Sequence, residues 1–182
     1  MEHGAADASG LVVSYIQSLY WEFGSGVVLP QTGIVMQNRG LSFSLDRGAL
    51  NVLEPGRLPL HTLCAALAVL RDGRVMAYGS MGGDAQPQVQ AAVFTRHVLH
   101  RQPLGQAIEG PRWYVGKTWG KPIGSLVVEA RLDGNLIDQL MAAGHDVVLT
   151  DAIGHAGAVV LHPDGSMEGA HDPRADSGAA GV

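Results

Sequence analysis

The sequence holds a single cysteine, Cys64, and few basic residues. One cysteine forms no internal disulfide, so a disulfide-stapled fold is excluded, and we expect Cys64 to be a small buried apolar residue. Only 12 Lys and Arg stand against 17 Asp and Glu, which gives a formal net charge of -5 over 182 residues. The chain therefore offers no basic field to the phosphates of a nucleic acid or to an anionic membrane surface, and we expect neither as a partner.

Long apolar runs are also missing. No segment approaches the roughly 18 apolar residues that a membrane span requires, and the first residues, MEHGAADASG, show no basic stretch followed by an apolar one. We expect a soluble chain. Its compartment, cytoplasm or periplasm, stays open, because a targeting signal would lie in the missing half if this segment belongs to a longer precursor.

Glycine, in contrast, is plentiful, with 25 residues, and 46% of the chain is hydrophobic. The apolar content is sufficient for one core, so we expect a single domain over 1–182. Such a glycine content is typical of many tight turns and of backbone that approaches other backbone or a ligand closely. It favours a strand-rich fold with glycine-lined loops.

Hydrophobic patterns and turn residues divide the chain into short elements. Strands are predicted at 11–18, 34–37, 63–70, 75–78, 126–128, 147–149, 158–161 and 167–170, with Asp-Gly hairpin turns at 72–73 and 164–165. Helices are predicted directly after the glycine pair at 82–83, containing 89–99, then over 103–108, and over 135–143 with Gly144 as a left-handed cap. The polar stretch 44–59 is predicted to be a long surface loop. This order suits an α+β fold in which a layered sheet carries helices on its outer face.

Several motifs, in this order along the chain, resemble the small subunit of the gamma-glutamyltranspeptidase family. They are FGSGVVLPQTGIVMQNRG at 23–40, LPLHTL at 58–63, GSMGGD at 79–84, QAAVF at 90–94, GPRW at 110–113, GHAGAVV at 154–160 and GAHDPRADSGAAG at 169–181. The resemblance covers nearly the whole chain. It implies the small-subunit half of a four-layer αββα sandwich, the fold of N-terminal nucleophile (Ntn) hydrolases.

The resemblance also implies a chemistry. Members of the family cleave their own precursor into a large and a small subunit, and the new N-terminal threonine of the small subunit is the nucleophile. Its α-amino group, when neutral, serves as the base for its hydroxyl, and water or an acceptor amine then attacks the acyl-enzyme. The large subunit is the expected partner, and no cofactor is expected. The threonine would directly precede Met1, so this chain lacks it.

Three residues match positions of the family's catalytic machinery. Gly82 and Gly83 match the glycine pair whose backbone amides line the oxyanion hole, which is usually a large catalytic contribution. The alternative for this pair is a tight turn before a helix. Ser18 falls where the family keeps a hydroxyl that hydrogen-bonds the nucleophile, although a serine on a strand is more often solvated or bonded to the backbone.

Five residues match positions that hold the substrate. His61 and Thr62 occupy the family's paired-hydroxyl position for a substrate carboxylate, and His61 is a departure from it. Members that bind a glutamyl α-ammonium place an acidic residue at the position of Ser42 and a neutral amide at that of Arg39, and Tyr20 replaces a small polar residue. A cationic Arg39 suits a carboxylate, which it can grip with two parallel hydrogen bonds. The alternative is a surface arginine in a salt bridge.

For two further groups of polar residues, the sequence predicts no catalytic or metal-binding role. Asp172, Arg174 and Asp176 are predicted to form a charged loop that ties the C-terminus to the body, and Arg112 is predicted to form an internal ion pair. Four histidines show only a superficial metal spacing, and no metal site is predicted. They are His97, His100, His155 and His162.

The leading hypothesis is the small subunit of an enzyme that transfers or hydrolyses the acyl group of a small-molecule amide, γ-glutamyl or a similar acidic one. Arg39 suits superfamily relatives that act as amidohydrolases on small acidic amides, or as acylases, better than a glutamyl donor. The rival hypothesis is a noncatalytic chain, an orphaned fragment with a binding or assembly role, and its support is the missing nucleophile.

Overall fold

A computed structural model describes residues 2–116 and 124–181 of the chain. Its strands are β1 (Glu2–Ala6), β2 (Val12–Ile16), β3 (Ala66–Val69), β4 (Val75–Ser80), β5 (Trp113–Val115), β6 (Leu126–Glu129), β7 (Val147–Thr150), β8 (Ala156–Leu161) and β9 (Met167–His171). Its α-helices are α1 (Ala85–Phe94), α2 (Leu104–Glu109) and α3 (Gly134–Ala142). The chain divides into two compact units, Met1–Ile16 with Cys64–Val182, and Gln17–Leu63.

The core of the first unit lies on a four-stranded antiparallel sheet with the strand order β3-β4-β8-β9. Because side chains alternate along a strand, β4 and β8 have two distinct faces. Met76 and Val160 are fully buried in a cluster with Val89 of α1 and Leu104 of α2. The helices therefore cover one face of this sheet, as predicted from the order of the elements.

The opposite face of the sheet carries the two-stranded sheet of β1 and β2. A Cβ on Gly4 would lie 3.3 Å from Val159 and 3.7 Å from Ala77, so the backbone of β1 crosses β4 and β8 closely. Strand β1 was not predicted, because its sequence EHGAA has no alternation of apolar and polar residues. Its small side chains are the ones that permit this close stacking of sheets.

A third sheet has the order β5-β6-β7, in which β6 and β7 are parallel and α3 forms the connection between them. The predicted helix is confirmed. Asp133 is its N-cap and accepts a hydrogen bond from the amide of Leu136 at 3.1 Å, and Gly144 follows the helix with φ +92°. The three-residue strand β5 was not predicted, because it is too short to show periodicity.

Several helices of the first unit begin or end at other residues than predicted. Helix α1 begins at Ala85, directly after the glycine turn, and therefore holds Pro87 in its first turn, where a missing N–H costs little. A π-helical turn, Thr95–Leu99, follows it, and Pro103 precedes α2 instead of opening it. Cys64 is half-buried, not buried as expected, and its amide donates to Gln86.

The second unit, Gln17–Leu63, contains no strand, and its regular structure is one 3-10 turn, Arg39–Ser42. The strand predicted at 34–37 is wrong: only Val35 makes a bridge, with Val28. Ile34 is 55% exposed, so no core covers the alternating side chains of this segment. The stretch 44–59 is irregular apart from a bridge between Ser44 and Val52, in agreement with the predicted loop.

Among residues 2–116 and 124–181, no helix has both the length and the apolar composition that a membrane span requires.

Candidate active site

The glycine pair forms the turn between β4 and α1. Gly82 has φ +137° and Gly83 has φ +55°, conformations that residues with a side chain rarely adopt. The carbonyl oxygens of both glycines accept hydrogen bonds from the first amides of the helix, those of Ala85 at 2.9 Å and Gln86 at 3.1 Å. The glycine pair therefore forms a tight turn before a helix, the alternative considered from the sequence. The role of its amides in an oxyanion hole stays a prediction.

The five substrate residues predicted from the resemblance lie in the second unit. Two of them, Tyr20 and Thr62, contact Arg39 together with the predicted catalytic residue Ser18, and these four residues are the Arg39 cluster. Its guanidinium donates to the hydroxyl of Thr62 at 2.9 Å and to the carbonyl oxygen of Ser18 at 3.4 Å. Its Cζ atom lies 5.4 Å from the centre of the Tyr20 ring, within the range of a cation–π interaction. The sequence alternative of a surface arginine does not hold, because Arg39 is only 5% exposed.

Arg39 has no acidic partner within salt-bridge distance in the part of the chain that the structure describes. Burial lowers the pKa of Arg39, and the neighbouring Tyr20 acts in the opposite direction. Since a buried cation without a counter-charge is costly, this arrangement is well suited to an anionic ligand. Planar guanidinium geometry favours a carboxylate.

The backbone beside Arg39 is unusual. Tyr20 has φ +84° and Glu22 has φ +40°, although neither is glycine. Asn38 holds this segment: its Oδ1 accepts from the amide of Trp21 at 3.0 Å, and its Nδ2 donates to the carbonyl oxygens of Trp21 and Gly24. Backbone strain of this kind accumulates at ligand-binding sites. Sequence reasoning missed Asn38, although an asparagine directly before the candidate Arg39 is a residue type that bonds loop backbone.

The remaining predicted residues have mixed surroundings. The Ser18 hydroxyl accepts a hydrogen bond from the amide of Tyr20 at 2.9 Å, which leaves its own proton available for donation. The Ser42 hydroxyl is buried and has no hydrogen-bond partner among the described residues. His61 is exposed and makes no hydrogen bond in the described chain, so the structure does not join it to the Arg39 cluster.

Buried charges connect the C-terminal segment to the body of the first unit, as predicted. Arg112 pairs with Asp172 at 2.5 Å, and Arg174 pairs with Asp172 at 2.9 Å. Sequence reasoning missed the second acid of this network, Glu129, which is fully buried and pairs with Arg174 at 2.6 Å. A carboxylate that directly follows the apolar strand residues Leu126–Val128 was the available signal. Asp176 is exposed and forms no ion pair within the described residues.

No group of three or more His, Cys, Asp or Glu side chains in the described ranges is arranged to hold a metal ion.

Comparisons with known proteins give the chain its context. The sequence profile of the family described as "Gamma-glutamyltranspeptidase" matches residues 3–182. The chain is 59% identical to the oxamate amidohydrolase proenzyme of Klebsiella pneumoniae, over 98% of this chain and 34% of that protein. It is 43% identical to the glutathione hydrolase-like YwrD proenzyme of Bacillus subtilis, over 97% of this chain and 34% of that protein. The chain thus spans about a third of the length of these curated relatives.

Solved structures of related proteins also resemble this chain. Gamma-glutamyltranspeptidase from Pseudomonas nitroreducens, complexed with L-DON, superposes with a TM-score of 0.83 at 25% identity, over 100% of this chain and 98% of that chain. Cephalosporin acylase from Bacillus halodurans superposes with a TM-score of 0.77 at 31% identity, over 95% of this chain and 32% of that chain. The predicted α+β fold of Ntn hydrolases is confirmed. The chain belongs to the gamma-glutamyltranspeptidase family.

Proposed function

We propose that this chain is the small-subunit part of an amide hydrolase whose precursor cleaves itself to expose a threonine directly before Met1. The lengths of the relatives support this. The curated proenzymes are about three times longer than the matched segment, whereas the solved Pseudomonas nitroreducens chain is covered almost completely. This agreement in length supports the proposal that the segment corresponds to the small subunit.

The proposed reaction is acyl transfer to water. The threonine hydroxyl attacks the amide carbon while the neutral α-amino group takes its proton. The amides of Gly82 and Gly83 receive the negative charge that develops on the carbonyl oxygen. Collapse of this intermediate breaks the C–N bond, the departing nitrogen takes the proton back, and water then hydrolyses the ester. Ser18 is proposed to orient the threonine hydroxyl.

The proposed substrate is a small monoamide that also carries a carboxylate. The observation that carries this proposal is the buried guanidinium of Arg39, which contacts Thr62 and Tyr20 and has no acidic partner among the described residues. A γ-glutamyl donor also carries a carboxylate, but its α-ammonium group would add a like charge beside Arg39, whereas an acidic amide without an ammonium group supplies only the missing counter-charge. The name of the 59% identical relative, an oxamate amidohydrolase, indicates the same class, because oxamate joins an amide directly to a carboxylate.

The proposed partner is the large subunit of the same precursor. Val13 and Tyr15 on β2, with Leu11 directly before the strand, leave an apolar outer face largely exposed. Contiguous apolar surface of this kind marks protein–protein contacts. We propose that large-subunit residues cover this face.

The test uses the complete, processed protein. Wild type is expected to hydrolyse oxamate faster than oxamide, its neutral analogue, and faster than a γ-glutamyl anilide. Arg39→Gln is expected to lower kcat/KM for oxamate about 100-fold, the loss of a charge-assisted contact, and to change the value for oxamide little. Arg47→Gln, which removes an exposed arginine of the same unit, is the matched control and should resemble wild type.

The outcomes separate the candidates. A preference for the γ-glutamyl anilide in wild type, retained in Arg39→Gln, would favour γ-glutamyl transfer over the acidic amide. A processed protein that hydrolyses none of the three compounds would support the noncatalytic alternative.

A further inference from the structure

The segment between β7 and β8 grips the residue that precedes the glycine turn. His155 accepts a hydrogen bond through its carbonyl oxygen from the amide of Met81 at 2.9 Å. Gly154 has φ +55°, and a Cβ on it would collide with the carbonyl oxygen of Met81. The amide of Met81 thus faces His155, and its carbonyl oxygen faces Gly154.

This contact reaches the turn through covalent geometry. The carbonyl group of Met81 and the amide of Gly82 belong to one peptide unit, which is planar. A displacement of the Met81 oxygen therefore rotates the Gly82 amide with it. A side chain at position 154 would collide with this oxygen and thereby tilt the peptide plane.

Buried charges fix the gripping segment on both sides of Gly154. The amide of Ile153 donates to Glu129 at 2.8 Å, and the carbonyl oxygen of Ile153 accepts from Arg112 at 3.0 Å. The amide of Ala156 donates to Asp172 at 2.7 Å. Such hydrogen bonds to buried, ion-paired groups leave the backbone little freedom to retreat.

We infer that Gly154 is a positioning residue: its missing side chain lets the segment 153–156 set the plane of the Met81–Gly82 peptide, and thereby the aim of the oxyanion-hole donors. This inference rests on the proposed function of Gly82 and Gly83. The simpler alternative is that Gly154 is required only because its φ is positive.

The test compares three variants of the complete, processed enzyme. Gly154→Ala adds both the φ strain and the collision with Met81. Gly165→Ala is the matched control, because Gly165 has φ +84° and nothing within 4 Å of an added Cβ. Gly154→Asn adds the same Cβ in a residue that tolerates positive φ. With oxamate, both Gly154 variants are expected to lower kcat about 100-fold, as the loss of an oxyanion donor does, with KM within about twofold of wild type.

Each other outcome counts against the inference. Equal kcat in the two alanine variants, or recovery of kcat in Gly154→Asn, would show that φ strain alone explains the glycine. A rise in KM matching the fall in kcat, or failure of both Gly154 variants to fold while Gly165→Ala folds, would point to a structural role. An inactive wild type would instead sink the proposed function, and this inference with it.

Discussion

The glycine turn of the first unit and the Arg39 cluster of the second are built in different ways. The turn follows a central strand, and the segment that grips it is fixed by buried ion pairs. The Arg39 cluster lies in a unit without strands, where single side chains such as Asn38 bond to loop backbone. The difference suggests that the proposed chemistry depends on the sheet of the first unit and the proposed choice of substrate on the loops of the second.

The largest expected effect concerns the buried network of the first unit. Glu129→Ala removes the carboxylate that accepts from Arg174, Arg131 and the amide of Ile153. Because buried arginine charge is left uncompensated, we expect a loss of about 3–5 kcal/mol in the free energy of unfolding. The midpoint of urea unfolding of the complete protein measures it.

The matched change in the second unit is Glu54→Ala. This glutamate pairs with Arg57 at 3.0 Å on the surface, where such a pair contributes about 0–1 kcal/mol. If both variants shifted the midpoint equally, the contrast between a charge-fixed first unit and a loosely held second unit would be lost.

The next effect concerns the second unit itself. Asn38→Ala deletes the hydrogen bonds to Trp21 and Gly24, and we expect a cost of about 1–2 kcal/mol, confined to that unit. Hydrogen exchange should accelerate in peptides covering 17–26 and stay unchanged in α3. Asn51→Ala, which removes one exposed bond to the carbonyl oxygen of Ser42, is the control. Equal acceleration in both variants would contradict the role assigned to Asn38.

The same contrast explains what could be predicted from sequence. The hairpin of β3 and β4 and the helix α3 follow from periodicity and turn residues, which act locally. The pairing of Arg112 with Asp172 was predicted in kind, since buried charges require partners. In the second unit periodicity misled, as the strand expected at 34–37 shows, because no core enforces the pattern. The members of the Arg39 cluster came from family resemblance, whereas the positive φ of Tyr20 had no local signal.

The smallest expected effect tests the first unit through protons. Burial lowers the pKa of His155 below the ordinary histidine value of about 6.5, while the carboxylate of Asp172 acts in the opposite direction. The folded protein therefore binds this proton less well than the unfolded chain does. As the pH falls below about 6.5, His155 binds a proton in the unfolded chain before it does so in the folded protein, so the free energy of unfolding decreases. His155→Gln keeps the backbone bond to Met81 and removes the titrating ring, so its urea midpoint should fall less than that of wild type between pH 7 and pH 5. If the urea midpoint depended on pH identically in both proteins, protonation of the half-buried His155 ring would not be what destabilises the fold. The acid sensitivity of the first unit would then come from its ion pairs.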